Sequence, residues 1–547
     1  MDNVQVIPPT NVLSGLVLCV FGLYMIPFLK SRIYPETHGT KGIPYPPGPE
    51  PWPVLGNLVF FRRLFKSPDK ELMELGRQYG GTCMLWFGPQ PVMIINKAKD
   101  AKELLDKKGA IYSDRPAQNS FREQAWPWRL VTTGVGEKFR LLRRVYNNVL
   151  SPQQSVSFHK YQDYESKIML RDLLSAPEGF LDHTKRFALS VIFSAVYGVR
   201  LVQLDHPTMV EFYGVWEDMM KYFQPGTLLV DYFPILQRLP RLLQPWLRLA
   251  TELRTRESAL HRAFLGSLKL QVGAGNEPRC FGSDLVKIQD REGFDDEQVI
   301  NILAMLIGAG SDTTSSMLQS FFKVMALNPD AVRAAHKELD QIVGPTRLPT
   351  WEDEPNLPYI RTLIKEVHRW APIGSLGVPH ATSISDIHRG RQVPKGTIVF
   401  PNLTSLNRDP ERYEDPDIFM PERFLGDDLH ANASANHQDF RRRDHFHYGF
   451  GRRLCQGIFL SESSLFIVIS RVLWAFDISP KQGEPPLDMN DKISGLVTKP
   501  KPYRVSITPR SAVSQEVIEE SAAMARTDIL DLDSIEVVGS RRGAHLG

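Results

Sequence analysis

The chain has 547 residues, 42% of them hydrophobic, which is far more than a minimal domain needs and enough to bury a large core. Lys and Arg total 65 against 62 Asp and Glu, and that balance of +3 gives no electrostatic reason to expect nucleic acid as a partner. Four cysteines occur, Cys19, Cys83, Cys280 and Cys455, with no C-x-x-C pair, which argues against a disulfide framework or a structural zinc site and fits a reducing compartment.

From Val12 to Leu29 the chain runs eighteen residues without a charge, roughly 27 Å of helix at about 1.5 Å per residue, just enough to span a bilayer. Asp2 is the sole charge before this run and Lys30 and Arg32 follow it, a pattern unlike a cleavable signal and one that puts the downstream chain in the cytosol. A buried core helix is the alternative. The expected organisation is a lumenal segment over 1–11, a transmembrane anchor over 12–29 and a proline-rich linker over 30–53. In the linker, KGIPYPPGPEPWP keeps the backbone extended and prevents a helix.

Next, Cys83 to Asn96 places two β-prone runs around Gly88 and Pro89, a hairpin signal. From about Phe139 to Leu327 helical periodicity dominates, with breaks at Phe223-Gln224-Pro225-Gly226 and over Gly273 to Pro278. Within the apolar run Val299 to Met317, Ala309-Gly310-Ser311-Asp312-Thr313-Thr314 puts an acid and two hydroxyls into what should be a dry helix interior. Those residues alone leave open a catalytic pair or a helix bent by hydroxyl back-bonding. Small sheets are expected near the start and after His380, in a mainly α body spanning 54–510. Beyond it, 511–547 is Ala-, Ser- and acid-rich and reads as a loosely held tail, with a docked amphipathic helix as the alternative.

Tyr448-Gly449-Phe450-Gly451-Arg452-Arg453-Leu454-Cys455-Gln456-Gly457 is a glycine-spaced loop that ends in a cysteine at the start of an apolar helical run, Ile458 to Trp474. Glycines permit tight turns in which several N–H groups point at one sulfur, and a helix N-terminus beside it helps hold it as a thiolate. This loop resembles the haem-binding loop of the cytochrome P-450 superfamily, F-G-x-G-x-R-x-C-x-G, with Tyr448 where Phe is usual. The resemblance implies the cytochrome P-450 fold with haem b. Cys455 would be its axial ligand, donating electron density that favours O–O cleavage, and Arg453 would pair with a propionate.

Other segments follow in the family's order, and the resemblance covers roughly Pro44 to Arg510. Ala309 and Gly310 would leave room for dioxygen, with Thr313 hydrogen-bonding the oxygen being activated and Asp312 delivering protons. Glu366 and Arg369 match E-x-x-R and Pro421-Glu422-Arg423-Phe424 matches P-E-R-F, implying a buried cluster that supports the haem loop. Phe139 to Arg143 corresponds to W-x-x-x-R with Phe139 at the Trp position, so Arg143, like His380, is a candidate propionate contact. His445 and His447 are expected to pack rather than ligate. Arg441, Arg442 and Arg443 form a solvated face or a reductase-docking patch.

The anchor and the wording of the C-terminal half resemble microsomal, fungal members that tailor secondary metabolites. Such enzymes sit in the endoplasmic reticulum membrane with one span and a cytosolic body, and take electrons from NADPH through a separate diflavin reductase. The implied substrate is an apolar small molecule such as a terpenoid, polyketide or aromatic, and the implied co-substrate is dioxygen. Family analogy puts the pocket lining in Ala117 to Gly134, Phe212 to Leu229, Ala304 to Gly308, Ile373 to Gly377 and Ser494 to Val497. Two rivals stand beside this expectation: a haem-thiolate isomerase or dehydratase that never uses oxygen, and a non-catalytic haem-binding membrane protein.

Overall fold

The hairpin forms where the sequence places it: Thr82–Phe87 (β1) and Gln90–Ile95 (β2) pair antiparallel around Gly88, whose φ of 53° suits a residue without a Cβ. The computed structural model describes residues 42–525 and 530–531, apart from 54, 59, 61–62, 64–67, 117–119, 225–227, 229 and 231–233. The expected lumenal segment and membrane anchor therefore lie outside the described residues. Among the described residues one helix, Ile458–Ala475, is long and apolar enough to cross a membrane, and it is mostly buried in the body.

Helices dominate. Glu137–Val149 (α1) buries Phe139, Leu142, Val145, Tyr146 and Val149 on one face. His159–Ser175 (α2) and Phe180–Tyr197 (α3) follow, and α3 packs along the 32-residue helix Asp296–Leu327 (α4), which crosses the core. A capping box starts α4: the Asp295 carboxylate accepts from the Gln298 N–H at 2.7 Å, and the Gln298 side chain accepts from the Asp295 N–H at 3.1 Å. The two expected breaks hold, since neighbouring helices end at Phe223 and Gly273.

Pro358–Trp370 (α5) carries the E-x-x-R pair. Beyond it come the short strands His380–Ala381 (β3) and Ile398–Pro401 (β4), which complete a four-stranded sheet in the order β1-β2-β4-β3. Strand β4 runs parallel to β2, with Val92 opposite Ile398 and Ile95 opposite Pro401, and antiparallel to β3. Ile458–Ala475 (α6) begins just after the cysteine loop and runs through the large core cluster beside α4 and α5.

Glu366 and Arg369 are both 0% exposed. Arg369 grips Glu366 with two bonds of 2.7 Å, while Arg423 Nε and the Met420 N–H reach the same carboxylate at 3.1 and 2.8 Å. The rest of the Arg369 guanidinium donates to the carbonyls of Asn407, Pro416 and Ile418, at 2.8, 2.7 and 3.1 Å. One ion pair on α5 thus fixes the irregular chain from 407 to 423, as the family order implied.

Two expectations are corrected. The tail is not loose at its start: Ala512–Met524 (α7) is a helix capped by Ser511, and it packs on α2 and α6 with Ile518 1% exposed. Its few apolar side chains suffice because they fall on one face of the helix, against the core. Arg443 does not belong to a solvated face. Arg441 and Arg442 are exposed, but Arg443 is buried, with its guanidinium over the rings of Phe446 and Phe450 at 4.7 and 4.5 Å.

Removing one partner of a buried charged network leaves the others unpaired, so Glu366→Ala should cost about 3–5 kcal/mol and prevent accumulation of haem-loaded protein. Normal haem content in that variant would show the network to be dispensable. Ile518→Ala should cost about 2–5 kcal/mol in thermal or denaturant unfolding, whereas a free tail would leave stability unchanged.

Candidate active site

Cys455 differs from the other described cysteines. Cys83 and Cys280 are buried, and burial pushes the Cys83 thiol up to about 12, whereas Cys455 is exposed. The surrounding protein raises the Cys455 thiol, while the Gly457 N–H and the Arg143 guanidinium pull it back down. The loop is held from its own backbone, because the Cys455 N–H donates to the Tyr448 carbonyl at 2.9 Å. Gly451, at φ 46°, sits so close to the Leu105 carbonyl that a Cβ there would lie 2.4 Å from the oxygen. Tyr448, the departure from the usual Phe, satisfies its hydroxyl with Ser461 Oγ at 3.2 Å and His368 Nε2 at 3.4 Å.

Around this loop the structure gathers Arg143, Arg453 and His380 and adds one residue that sequence reasoning missed, Arg115. Arg143 donates to the Leu454 carbonyl at 3.0 Å, immediately before the cysteine. Arg453 donates to the carbonyls of Ser113, Leu130 and Thr133 at 2.8, 3.1 and 2.8 Å, which leaves two of its five N–H groups for another acceptor. Its guanidinium lies 3.9 Å from the centre of the Phe139 ring, so the residue at the Trp position supplies a face where an N–H was expected.

Arg115 donates to the carbonyls of Val131 and Pro379, both at 2.6 Å. Its one sequence signal, an Arg-Pro pair, reads equally well as a surface turn. His380 Nδ1–H donates to the Tyr112 carbonyl at 2.8 Å, and burial together with Arg115 lowers its pKa to about 3, so the ring is neutral. Burial lowers Arg453 to about 10 and Arg115 well below its ordinary value, and the charge of Arg453 adds to the effect on Arg115. Asp114 offsets both guanidiniums in part. Three guanidiniums, one buried and two half-buried, next to an accessible sulfur suit a group that offers carboxylates and takes a thiolate ligand, which is the chemistry of haem b.

Helix α4 forms one wall of an apolar cavity of about 290 Å³, to which it contributes Met305, Gly308, Ala309 and Thr313. Every stretch expected to line the pocket contributes: Arg129 and Val131, Trp216 and Met220, Met305 and Gly308, Ile373 and Leu376, Leu496 and Val497. Phe87, Ile398 and Phe400 from the sheet and His447 also line it, and these were not foreseen.

The small residues of α4 divide their work differently from the expectation. Gly308 and Ala309 face the cavity, and a Cβ on Gly308 would lie 1.9 Å from the Trp216 ring. Gly310 instead admits Ile192 of α3, whose side chain would lie 2.8 Å from a Cβ at that position, because one helical turn of about 3.6 residues carries positions 308 and 310 to different faces. Thr313 lines the cavity and donates to the Ala309 carbonyl at 2.7 Å. The back-bonding and catalytic readings of that hydroxyl therefore coincide, since the oxygen still accepts. Burial raises the Asp312 carboxyl above the usual range, with the Lys499 ammonium opposing the rise.

The family model for Cytochrome P450 matches residues 46–507. Among curated proteins, the chain is 62% identical to cytochrome P450 monooxygenase polD of Polytolypa hystricis, over 91% of this chain and 96% of the relative. It is 34% identical to cytochrome P450 monooxygenase fogE of Aspergillus ruber, over 86% and 88% of the two chains, and 33% identical to cytochrome P450 monooxygenase virE of Hypocrea virens, over 91% and 92%. With a matched domain of that extent on this arrangement of sulfur, guanidiniums and apolar cavity, the chain belongs to the cytochrome P450 family and is a haem-thiolate monooxygenase that works with haem b and a redox-partner reductase.

Proposed function

We propose that this chain inserts one oxygen atom from dioxygen into an apolar small molecule of fungal secondary metabolism, such as a terpenoid or a polyketide-derived or other aromatic compound. The observation that carries this reading is the apolar cavity with Ala309 and Thr313 on its wall. The monooxygenase relatives in three fungi support the metabolic setting. Residues 12–29 are read as a single anchor in the endoplasmic reticulum membrane, on the strength of their uncharged run and the cations that follow. Electrons are assigned to NADPH through a separate diflavin reductase.

Haem b, when bound, supplies the iron at which dioxygen is reduced. Cys455 would be its ligand, with the Gly457 N–H and Arg143 favouring the thiolate. Arg453 would offer two further donors to the propionates, with Arg143 and Arg115 beside it, whereas the neutral His380 ring spends its N–H on the Tyr112 carbonyl and has none left for a carboxylate. The apolar wall orders the substrate and excludes water. Thr313 Oγ1 spends its proton on the Ala309 carbonyl and offers a lone pair, so it can steady a proton-bearing group in the cavity. Asp312, with its carboxyl raised by burial, holds a proton nearer to neutral pH than an exposed aspartate would and can pass it inward. Proton delivery to a reacting group is needed where dioxygen is reduced, which favours oxygenation over an isomerase, a dehydratase or passive haem binding.

Purified full-length protein with NADPH, reductase and an extract of the producing cells under labelled oxygen should place one labelled atom in a product. A product without label would overturn the reading. Cys455→Ala should lose the red-shifted carbonyl band of a thiolate-ligated haem along with activity, and retention of that band would move the ligand elsewhere. Positioned proton transfer is worth about 10²–10⁴-fold in rate. Thr313→Ala should therefore keep consuming NADPH while releasing hydrogen peroxide in place of product, and Asp312→Asn should slow both oxygen consumption and product formation. An unchanged ratio of product to NADPH in Thr313→Ala would remove its catalytic assignment.

A further inference from the structure

Three imidazoles meet between α5 and the approach to Cys455. His368 on α5 and His445 lie face to face, 4.3 Å between ring centres and 12° between planes, and His447 stands across His368 at 4.9 Å and 71°. Three neighbouring histidines invite a metal reading, and their ligand atoms fall within 4.8 Å of one another. The ring geometry argues against it. Lone pairs of an imidazole lie in the ring plane, so two stacked rings point theirs alongside each other and not at one ion. Burial and His447 depress His445, with Arg443, Lys365 and Arg412 adding to the effect, and the one carboxylate beside the ring, Asp444 at 3.8 Å from Nε2, is shared with Lys365 at 3.8 Å.

The hydrogen bonds give the cluster another meaning. Ile373 N–H donates to His447 Nε2 at 3.4 Å, so that nitrogen is an acceptor and the ring proton sits on Nδ1. Burial lowers the His447 pKa to about 4, which keeps the ring neutral and the acceptor intact at physiological pH. The His447 backbone N–H donates to His445 Nδ1 at 3.2 Å, and His445 is held by its stack on His368. On the other side of the same residue, the Thr498 N–H donates to the Ile373 carbonyl at 2.7 Å.

Ile373, Leu496, Val497 and His447 all line the substrate cavity. One continuous path therefore runs from the wall at 496–498 through Ile373 to His447. From there Tyr448, whose carbonyl accepts from the Cys455 N–H at 2.9 Å, carries it to the sulfur. The far end of the 373–377 wall is anchored separately, where the Gly377 N–H reaches the Pro401 carbonyl at 3.3 Å.

We propose that His447 is a specificity-determining positioning residue: its ring hangs the cavity walls at 373–374 and 496–497 from the cysteine loop and so sets their distance from the haem. The inference rests on the haem-thiolate reading of Cys455. It acts through backbone position and needs no contact between His447 and the substrate.

The test compares His447→Leu, which keeps bulk and removes the acceptor, with His447→Gln, whose amide oxygen can accept the Ile373 N–H. Both are purified as full-length haem-loaded protein and titrated spectroscopically with two azoles. Imidazole is a small iron ligand that serves as the control, whereas clotrimazole carries three aryl rings that have to pack against the cavity walls. Losing one hydrogen bond should weaken clotrimazole about five- to tenfold in the Leu variant. Imidazole affinity and the thiolate carbonyl band should be unchanged, and Gln should restore clotrimazole binding to within about twofold. Equal clotrimazole affinities in Leu and Gln would overturn the proposal. So would loss of the thiolate band in the Leu variant alone, which would make His447 a support of the haem loop, or a second transition metal per chain that only the wild type retains. Absence of a thiolate band in the wild type would instead overturn the reading on which the inference rests.

Discussion

A carboxylate with no exposure at all, Glu366, has to be neutralised where it lies, and the way this is done organises the side of the protein that carries the cysteine. Arg369 and Arg423 bring more cationic donors than one carboxylate can use, so the surplus N–H groups seek carbonyls and find them along 407–418. An otherwise irregular segment, with no ladder to satisfy its backbone, thereby acquires fixed hydrogen bonds. Asn407 then accepts from the Phe446 N–H at 3.2 Å, which passes the constraint from the ion pair to the chain leading into Cys455. Buried ion pairs are weak evidence for stability in general. Here the pair is better described as a specifier of geometry, because what it fixes is the position of loops.

The opposite constraint acts on α4. A helix that crosses the core should be apolar throughout, yet Asp312 and Thr313 interrupt it, and the cost is met locally. Thr313 satisfies its donor on Ala309, and burial, which raises the Asp312 carboxyl, is opposed by the Lys499 ammonium, so the charge has a counter-ion. Glycines do the rest by letting Trp216 and Ile192 approach the helix backbone from two sides. Of the polar pair, only Thr313 lines the cavity.

Much of this was legible in the sequence where a local pattern carried it. The hairpin over 82–95 and the helix ends at Phe223 and Gly273 follow from periodicity and turn residues, whereas the ion pair at 366 and 369 and the five lining stretches follow from the family resemblance. The misses share a physical reason. Gly310 and Arg443 were assigned by neighbourhood in the chain, whereas the face of a helix or the environment of a side chain is set by what packs against it. Phe87, Ile398 and Phe400 reach the cavity because β2 and β4 pair in parallel register, a long-range event that no local window reports. The helix at 512–524 needed only a few apolar residues, too weak a stripe to read without its docking surface.

Departures from the family pattern turn out to be matched by their surroundings. Phe139 lacks the N–H of a Trp, and the Arg453 guanidinium sits over its ring, trading a hydrogen bond for a cation over a ring. Tyr448 adds a hydroxyl to the cysteine loop, which donates to Ser461 Oγ on α6 and lies 3.4 Å from His368 Nε2 on α5. His368 in turn supports the stack that orients His445 and, through its backbone, His447. A hydroxyl introduced into this dry corner would cost more than it contributed without those partners. Tyr448, His368, His445 and His447 therefore behave as one unit, and the unit lies between the ion pair that fixes the loop and the wall that faces the substrate. The same packing that lets the chain depart from the usual aromatic is what couples its cavity to its sulfur.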